Sequence, residues 1–286
     1  MTIAFLGTGL LGRPMAEKLA AAGHAVVAYN RTVAKAEPLC QVGAVVVARP
    51  EEAVRAASCT ILMLADARAI RQVLLETPAR QELAGRTVIQ MGTIGPQESR
   101  ALQREVLAAG GDYLEAPVLG SIAEAKAGRL LVMAGGTQEQ FARWADLFRS
   151  FGPEPRLIGP VGRAAALKLA LNQFIAAEIA AFSLSLGLVL REEIPVETFM
   201  GVLRESALYA PVFDKKLPRL RARDYANPNF STRHLLKDVD LFLAEAETLG
   251  LVTESLAGAR ALLSRTVERG LAEVDYSAVY DAINPR

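Results

Sequence analysis

The stretch TIAFLGTGLLGR, residues 2–13, decides the fold of this chain. Its first six residues have the composition of a buried strand, and a helical pattern begins directly after them. Between the two, GTGLLG at residues 7–12 spaces its glycines as G-x-G-x-x-G. There Gly7 permits a sharp turn, Gly9 lets the backbone approach a pyrophosphate, and Gly12 lets helix and strand pack closely. The free N–H groups at a helix start favour an anion. The stretch therefore predicts a dinucleotide site, and an ordinary tight turn is the less favoured alternative.

The second predicted strand ends in YNRT, residues 29–32, which contains no acidic residue. An acid at this point would hold the ribose hydroxyl of an adenosine and repel a phosphate. Arg31 instead offers a forked guanidinium to a 2′-phosphate, and Asn30 and Thr32 can donate hydrogen bonds. Lys35 lies one turn further along the chain. The pattern favours NADPH over NADH, the alternative being that Arg31 is an ordinary solvated residue.

Short β-rich runs alternate with helical patterns through the first half of the chain, and after GPVGR, residues 159–163, only helical periods remain. The alternation predicts a parallel sheet with right-handed crossovers. The expected fold class is α/β, with a doubly wound Rossmann domain over residues 1–161 and an all-α domain over 162–286 that begins with a long helix. The predicted strands cover 2–7, 24–29, 44–48, 59–64, 86–91, 112–117, 129–135 and 156–158, and the predicted helices cover 10–22, 97–109, 137–151, 164–191, 195–205, 211–221, 231–249 and 252–269.

Composition excludes several classes of partner. The 286 residues carry a net charge of +1 with acids and bases mixed, so no basic surface for nucleic acid is expected. Cys40 and Cys59 share no metal-ligand spacing with His24 and His234, which argues against a metal site and suits a reducing cytoplasm. The first residues lack the charged region of a signal peptide, and the apolar segment 164–190 contains four polar side chains. We therefore expect a cytoplasmic protein without a membrane span.

The apolar segment ALKLALNQF, residues 166–174, contains a lysine that its surroundings do not favour. Lys168 and Asn172 are four residues apart, so they share one face of a helix. The common alternative is a lysine whose ammonium reaches water, but the neighbouring residues show little sign of a wet face. In a redox reaction, Lys168 would give a proton to a carbonyl oxygen while hydride arrives at the carbon. Asn172 would hold the ammonium or the substrate hydroxyl.

Five segments together resemble the β-hydroxyacid dehydrogenases, the relatives of 3-hydroxyisobutyrate dehydrogenase: FLGTGLLGRPMAEKLAAAGHAVVAYNRT, QMGTIGP, EAPVLGSIAEAKAGRLLVMAGG, GPVGRAAALKLALNQF and HLLKDVDLFLAEAETLGL. The start EAPV, QMGT and the ending VDYSAV are most similar to the glyoxylate/succinic semialdehyde reductase branch, which uses NADPH. The resemblance implies a Rossmann domain and an all-helical domain with the active site between them. It also implies a homodimer or homotetramer built through the helical domain.

The resemblance assigns roles to single positions. Lys168 matches the catalytic lysine and Asn172 the asparagine that orients the substrate. Thr93 matches a residue near the nicotinamide and substrate. Lys237 matches the lysine that closes over the cofactor, and Asp238 an acid that buttresses the site. Expected besides these are Phe230 as a pocket wall, with apolar core as the alternative, and a cofactor set of Gly7, Thr8, Gly9, Leu10, Leu11, Gly12, Asn30, Arg31, Thr32, Lys35, Leu64, Ala65 and Thr93.

One loop departs from the family pattern. The family usually has A-P-V-S-G followed by a small residue, whereas residues 116–121 here are APVLGS. Leu119 stands where a serine hydroxyl helps to bind the substrate carboxylate. The N–H groups of Gly120 and Ser121 could form an anion nest and the Ser121 hydroxyl could substitute, or Ser121 could be only a turn residue. The substitution allows specificity to shift to a less polar substrate.

The leading functional hypothesis is an NADPH-dependent reductase of a small aldehyde acid, such as glyoxylate or succinic semialdehyde. A 3-hydroxyisobutyrate-type dehydrogenase is the nearest alternative. An imine or other carbonyl reductase on the same scaffold is suggested by Leu119 and disfavoured by Lys168. A non-catalytic NADPH-binding module is the alternative from another class, and the intact Lys168, Asn172 and Lys237 argue against it.

Overall fold

The first strand contributes side chains to two separate apolar cores. Ile3 and Phe5 lie in one buried cluster, and Ala4 and Leu6 lie in the other. Because successive residues of a strand point to opposite faces, both faces of the sheet are covered. Strands buried on both faces read as continuous apolar runs, which is why the sequence pattern identified them.

The computed structural model describes residues 1–285, and its internal contacts divide the chain into two units, Met1–Lys168 and Leu169–Arg286. The first unit has strands β1 (Thr2–Leu6), β2 (Ala25–Tyr29), β3 (Val45–Val47), β4 (Cys59–Leu62), β5 (Thr87–Gln90), β6 (Asp112–Glu115), β7 (Val118–Leu119), β8 (Leu131–Gly135) and β9 (Arg156–Gly159). Its α-helices are α1 (Gly12–Ala21), α2 (Pro50–Ala56), α3 (Ala67–Ile70), α4 (Pro96–Ala108), α5 (Ile122–Ala127) and α6 (Gln138–Arg149).

The strands form one sheet in the order β3-β2-β1-β4-β5-β6-β8-β7, with β9 paired to β8. From β3 through β6 all neighbours are parallel; Ile3, for example, pairs with Val26 on one side and Cys59 on the other. The chain order reverses between β1 and β4, so their carboxyl ends form the crevice where such sheets bind ligands. The expected doubly wound Rossmann architecture is confirmed.

The sheet departs from a purely parallel arrangement at its far edge. Strand β8 runs antiparallel to β6, with Glu115 opposite Gly135, and antiparallel to the short strand β7. A Cβ atom at Gly135 would lie 2.6 Å from the Glu115 Oε1 atom, so any larger residue there would displace this carboxylate. The sequence pattern predicted neither β7 nor its direction, because two residues are too few to show an alternation.

Every element in the described part of the second unit is a helix, apart from an isolated bridge between Ser231 and Asp275. Its core centres on Phe182 and Phe213, whose rings stack with centroids 4.6 Å apart, and on Leu186, Met200 and Leu220, which are fully buried. Its helices are α7 (Arg163–Arg191), which begins in the first unit, α8 (Val196–Glu205), α9 (Pro211–Ala222), α10 (Thr232–Thr248), α11 (Glu254–Glu268) and α12 (Val279–Ile283). The helical C-terminal region predicted from the sequence is confirmed.

Helix α7 is apolar on most of its circumference. By length and composition alone it could cross a bilayer, although a core helix of a soluble protein passes the same test. Its outward face is apolar as well: Phe174, Leu184 and Leu188 are 55, 66 and 62% exposed, and Ala177 and Ala181 lie exposed between them. These five residues recur at spacings of three and four, so they form one continuous stripe, the α7 stripe.

A buried ion pair joins two segments of the second unit. The Lys216 ammonium lies 2.7 and 2.8 Å from the two carboxylate oxygens of Asp275, and the two residues are 7 and 0% exposed. Ser277 donates its backbone N–H and hydroxyl to the same carboxylate, and the ammonium sits 4.2 Å from the centre of the Tyr276 ring. Burial lowers the pKa of Lys216, while the bonds to Asp275 oppose that shift.

Candidate active site

The glycine loop follows β1 and leads into α1. Gly7 has a φ of +103°, and a Cβ atom there would lie 2.3 Å from the Met63 carbonyl oxygen. A Cβ atom at Gly12 would lie 2.0 Å from the Gly7 carbonyl oxygen. Around Gly9, in contrast, there is nothing within 4 Å, so packing does not require a glycine. That open space is what a pyrophosphate approaching the backbone needs.

Other features of this loop also fit an anionic ligand. Helix α1 starts without a side-chain cap and without an acid in its first turn, so its first N–H groups and positive dipole end remain available. Thr8 is 2% exposed, and its hydroxyl oxygen has no hydrogen-bond partner among the described residues. These observations fit a nicotinamide dinucleotide, with its pyrophosphate at Gly9 and the start of α1.

At the end of β2, Asn30 makes two hydrogen bonds within the chain in addition to the expected donor role. Its Oδ1 atom accepts a hydrogen bond from the Thr8 N–H at 3.0 Å, and its Nδ2 group donates to the Thr32 carbonyl at 2.9 Å. Asn30 therefore braces the glycine loop instead of offering both amide hydrogens to a phosphate. Arg31, Thr32 and Lys35 are exposed beside it.

The expected contacts after β4 and β5 lie next to each other. A Cβ atom at Gly92 would be 2.6 Å from the Leu64 carbonyl oxygen, and the Gln90 amide bonds both the N–H and the carbonyl of Gly92. Thr93 follows, half-buried, and Ala65 is exposed. Because β2, β1, β4 and β5 are parallel neighbours, the expected cofactor residues of the first unit all follow the carboxyl ends of adjacent strands. Lys237, the remaining expected cofactor residue, lies on α10 of the second unit.

The loop expected to hold a substrate carboxylate is already occupied by a carboxylate of the chain. The Ser121 N–H donates to the Glu124 Oε2 atom at 2.8 Å, and the Ser121 hydroxyl makes a second, short hydrogen bond to that atom. Glu124 is the third residue of α5, so the pair forms a capping box. Both Ser121 donors are therefore used within the chain, which corrects the part of the possible anion nest that rested on Ser121.

Lys168 and Asn172 both lie on the inner side of α7, 7 and 3% exposed. The Asn172 Nδ2 group donates to the Asp238 Oδ2 atom at 2.7 Å, and the Lys237 ammonium lies 2.7 Å from the Asp238 Oδ1 atom. Asp238 is itself only 3% exposed. Since the Asn172 amide is fixed through its nitrogen, its buried Oδ1 atom, which has no partner among the described residues, can accept a hydrogen bond from an ammonium or hydroxyl group.

Phe230 precedes the same helix, α10, that carries Lys237 and Asp238. Its ring stacks on His234, with centroids 6.3 Å apart, and meets Tyr276 edge-on. The His234 Nδ1 atom lies 2.6 Å from the hydroxyl of Ser231, which caps α10. Burial lowers the pKa of His234. The histidine is thus part of the support of this helix end, which the sequence pattern did not indicate.

A buried carboxylate that the sequence analysis did not single out lies at the start of α7. The Glu115 Oε1 atom accepts hydrogen bonds from the N–H groups of Gly162 and Ala165, at 2.8 and 3.0 Å. The Ser99 hydroxyl bonds its other oxygen, and Ser99 also lies 2.9 Å from the Tyr113 hydroxyl. Burial raises the pKa of Glu115. An acid at the end of a strand whose last three residues are buried was the available signal.

Comparison with protein families identifies two matching regions. Residues 2–159 match the NAD binding domain of 6-phosphogluconate dehydrogenase, and residues 162–283 match the NAD-binding domain of NADP-dependent 3-hydroxyisobutyrate dehydrogenase. Together they span almost the whole chain. Among the described residues, no group of three or more His, Cys, Asp or Glu side chains is arranged to hold a metal ion.

Individual relatives agree with the family matches. The chain is 30% identical to glyoxylate/succinic semialdehyde reductase 1 of Arabidopsis thaliana over 99% of this chain and 98% of that protein. It is 29% identical to 2-hydroxy-3-oxopropionate reductase of Escherichia coli, over 99 and 97% of the two chains. A solved structure of 3-hydroxyisobutyrate dehydrogenase from Salmonella typhimurium superposes with a TM-score of 0.89 at 21% identity, covering 98 and 99% of the two chains, which shows a shared fold.

Proposed function

This chain belongs to the β-hydroxyacid dehydrogenase family of NAD(P)-dependent oxidoreductases, which act on hydroxyl and carbonyl groups, and we propose that it is an NADPH-dependent reductase of a small aldehyde acid such as glyoxylate or succinic semialdehyde. The reverse reaction, oxidation of the corresponding hydroxyacid, uses the same groups. The observation that carries the proposal is the buried pair Lys168 and Asn172 on one face of α7, with Asn172 fixed by Asp238.

The proposed chemistry transfers a hydride to the carbonyl carbon and a proton to the carbonyl oxygen. A bound nicotinamide supplies or accepts the hydride at the carbonyl carbon. Lys168 donates an ammonium proton to the carbonyl oxygen, and takes it back in the oxidation. Asn172 orients the reacting hydroxyl through its Oδ1 atom, because its Nδ2 group is held by Asp238. Lys237 balances the charge of Asp238, so this acid supports the amide without presenting a second free negative charge.

NADPH preference rests on the end of β2. Arg31, Thr32 and Lys35 are exposed beside the braced Asn30, and residues 29–36 contain no acid. A guanidinium and an ammonium attract a 2′-phosphate, and no carboxylate repels it.

The proposal is tested with purified protein, NADPH and a panel of glyoxylate, succinic semialdehyde and methylmalonate semialdehyde, following cofactor absorbance. We expect oxidation of NADPH with at least one of these carbonyls. Loss of the proton donor in Lys168→Ala should lower kcat by about 100-fold or more while NADPH affinity is retained, since acid–base groups contribute on that order. The matched control is Lys215→Ala, an exposed lysine of α9 that should leave kcat unchanged.

No turnover with any carbonyl, or full activity in Lys168→Ala, would contradict the proposal. Turnover confined to neutral carbonyls or cyclic imines would favour the second candidate, an imine or other carbonyl reductase. The specific observation in its favour is the loop where Leu119 replaces a hydroxyl and Glu124 takes both donors of Ser121. A carboxylate at this point disfavours an anionic substrate group close by.

We also propose that the protein is a homodimer or homotetramer in the cytoplasm. The α7 stripe exposes three large apolar side chains in a row, a pattern that marks interfaces in soluble proteins. Both cysteines are free, Cys40 exposed and Cys59 buried, as suits a reducing compartment.

A further inference from the structure

Glu115 connects the sheet of the first unit to the beginning of the helix that carries Lys168. Its carboxylate accepts the N–H groups of Gly162 and Ala165, which are separated from it by 47 and 50 residues in the chain. Helix α7 begins at Arg163, and Lys168 follows Ala165 by three residues. The hydrogen bonds therefore fix the turn of α7 that directly precedes the lysine.

The segment before α7, residues 159–162, is held from two sides. The Gly159 carbonyl accepts the Gly136 N–H at 2.8 Å and Val161 is buried in the apolar core, while Glu115 holds the last residue of the segment, Gly162. Gly159 and Gly162 adopt φ values of +146° and +97°, so two residues of the linker lie in conformations that favour glycine. The first N–H groups of a helix have no partners within the helix, and an acid near them also complements the helix dipole. Glu115 supplies both the acceptor and the charge at this end.

The surroundings of Glu115 are built to hold one position of its carboxylate. The residue is 1% exposed, and Gly135 leaves the space that its Oε1 atom fills. The Ser99 hydroxyl bonds the Oε2 atom and is itself next to the Tyr113 hydroxyl, so the second oxygen is also fixed. A carboxylate held on both oxygens defines the start of the helix more tightly than a solvent-exposed cap.

We propose that Glu115 is a positioning residue of the reaction: by holding the amides of Gly162 and Ala165, it sets the place of the Lys168 ammonium. This role rests on the proposed reductase function, in which Lys168 is the proton donor. Glu115 itself touches neither substrate nor cofactor in this account. Its effect is expected on the chemical step and not on the binding of NADPH by the glycine loop.

The test compares Glu115→Ala, Glu115→Gln and the control Thr137→Ala, which removes the hydroxyl cap of α6 in the same unit. NADPH binding is titrated by fluorescence, and kcat is expressed per NADPH-binding site. We expect Glu115→Ala to lower this kcat by about 100-fold with unchanged NADPH affinity, because small displacements of a reacting group cost on that order. A merely structural role would reduce the number of binding sites and leave kcat per site at the wild-type value, as expected for Thr137→Ala.

Glu115→Gln should restore most of the activity. Its Oε1 atom still accepts both N–H groups, and the Ser99 hydroxyl can accept from the new amide and donate to Tyr113. A glutamine variant as impaired as the alanine variant would overturn the inference, because charge and not position would then be the property that matters. If Glu115→Ala does not fold, Ser99→Ala takes its place, and an unchanged kcat per site there would also overturn the inference.

Hydrogen exchange separates this inference from the proposed function. If the wild-type protein turns over no carbonyl, the reductase proposal fails. Hydrogen exchange over residues 160–170 still tests whether Glu115 holds the start of α7. Faster exchange confined to this segment in Glu115→Ala supports the positioning role. Unchanged protection there would overturn it, whatever the result of the turnover assay.

Discussion

Glu124 shows how one side chain changes what a loop can bind. In the described structure its carboxylate takes the N–H and the hydroxyl of Ser121, two of the three groups that could receive a substrate carboxylate. The interaction is local, between residues three apart, and it also starts helix α5. If this loop binds the substrate as proposed, its preference is therefore set by a helix cap and not by the redox machinery.

Removing this acid should improve the binding of anionic carbonyls. In Glu124→Ala the Ser121 donors are released and a negative charge disappears, so KM for glyoxylate should fall by about 10-fold, the value of one hydrogen bond to a charged group. KM for a neutral aldehyde of similar size serves as the internal control and should stay constant. Parallel changes for both substrates would show that Glu124 acts only by stabilising α5.

Under the proposed NADPH preference, Arg31 is the residue on which cofactor choice is expected to depend most. Arg31→Ala removes the forked donor at the end of β2, so KM for NADPH should rise by about 10- to 100-fold, while KM for NADH should stay nearly constant. Arg149→Ala, an exposed arginine at the end of α6, is the matched control. Equal losses for both cofactors would mean that Arg31 does not contact a 2′-phosphate.

At the scale of the element, the start of helix α10 contains a histidine, His234, whose protonation makes the stability of the protein depend on pH. Burial holds the pKa of His234 below its usual 6.5, so the unfolded chain binds a proton at a higher pH than the folded chain. Between the two pKa values, stability rises with pH and is lost on acidification, by at most about 1.4 kcal/mol per pH unit.

The variant His234→Asn should lack this part of the pH dependence. Lowering the pH from about 7.5 to about 5.5 should reduce the free energy of unfolding of the wild-type protein more than that of the variant, as measured by urea unfolding. The difference should grow below the unfolded pKa of about 6.5. The pKa of His24 is also lowered, but that residue is common to both proteins and cancels from the difference. Parallel stability curves would show that His234 titrates alike in the folded and unfolded states.

The elements were predictable where their pattern was long. All eight predicted strands and eight predicted helices occur in the structure, because buried runs and helical periods of this length have few competing interpretations. Short elements escaped: α2 carries a proline at its first position and two acids in its first turn, but its seven residues show no clear period. Strand β7 has only two residues.

In the candidate site, too, local relations were predictable from the sequence and long-range contacts were not. The spacing of Lys168 and Asn172 predicted a shared face, since that relation is local and repeats with the helix. The partners of Glu115 lie 47 and 50 residues away, and no local pattern reports such a distance. Asn30 was expected to donate to a phosphate; it also accepts the Thr8 N–H across 22 residues, a contact that no local pattern reports.

At the scale of the whole molecule, the α7 stripe predicts the assembly state. Leu184→Glu together with Leu188→Glu places two charges on a face proposed to meet a second copy, and burying unpaired charges is costly. The wild-type protein should elute as a dimer or tetramer in size exclusion with light scattering, and the double variant as a monomer. Leu107→Glu changes a leucine of α4 that is 51% exposed and should leave the assembly intact.

A wild-type monomer would contradict the assembly proposal directly. An unchanged oligomer in the double variant would show that the copies meet through another surface.

The ion pair inside the second unit also makes one lysine a chemical reporter. The Lys216 amine is enclosed by the Asp275 carboxylate and the Tyr276 ring, so a reagent that acylates amines cannot reach it while these groups are in place. Exposed lysines such as Lys126 and Lys215 react without any opening of the fold. Mass spectrometry of the peptide that contains Lys216 gives the rate at which this lysine is labelled. That rate therefore measures how often the helical unit opens, even while the rest of the chain remains folded.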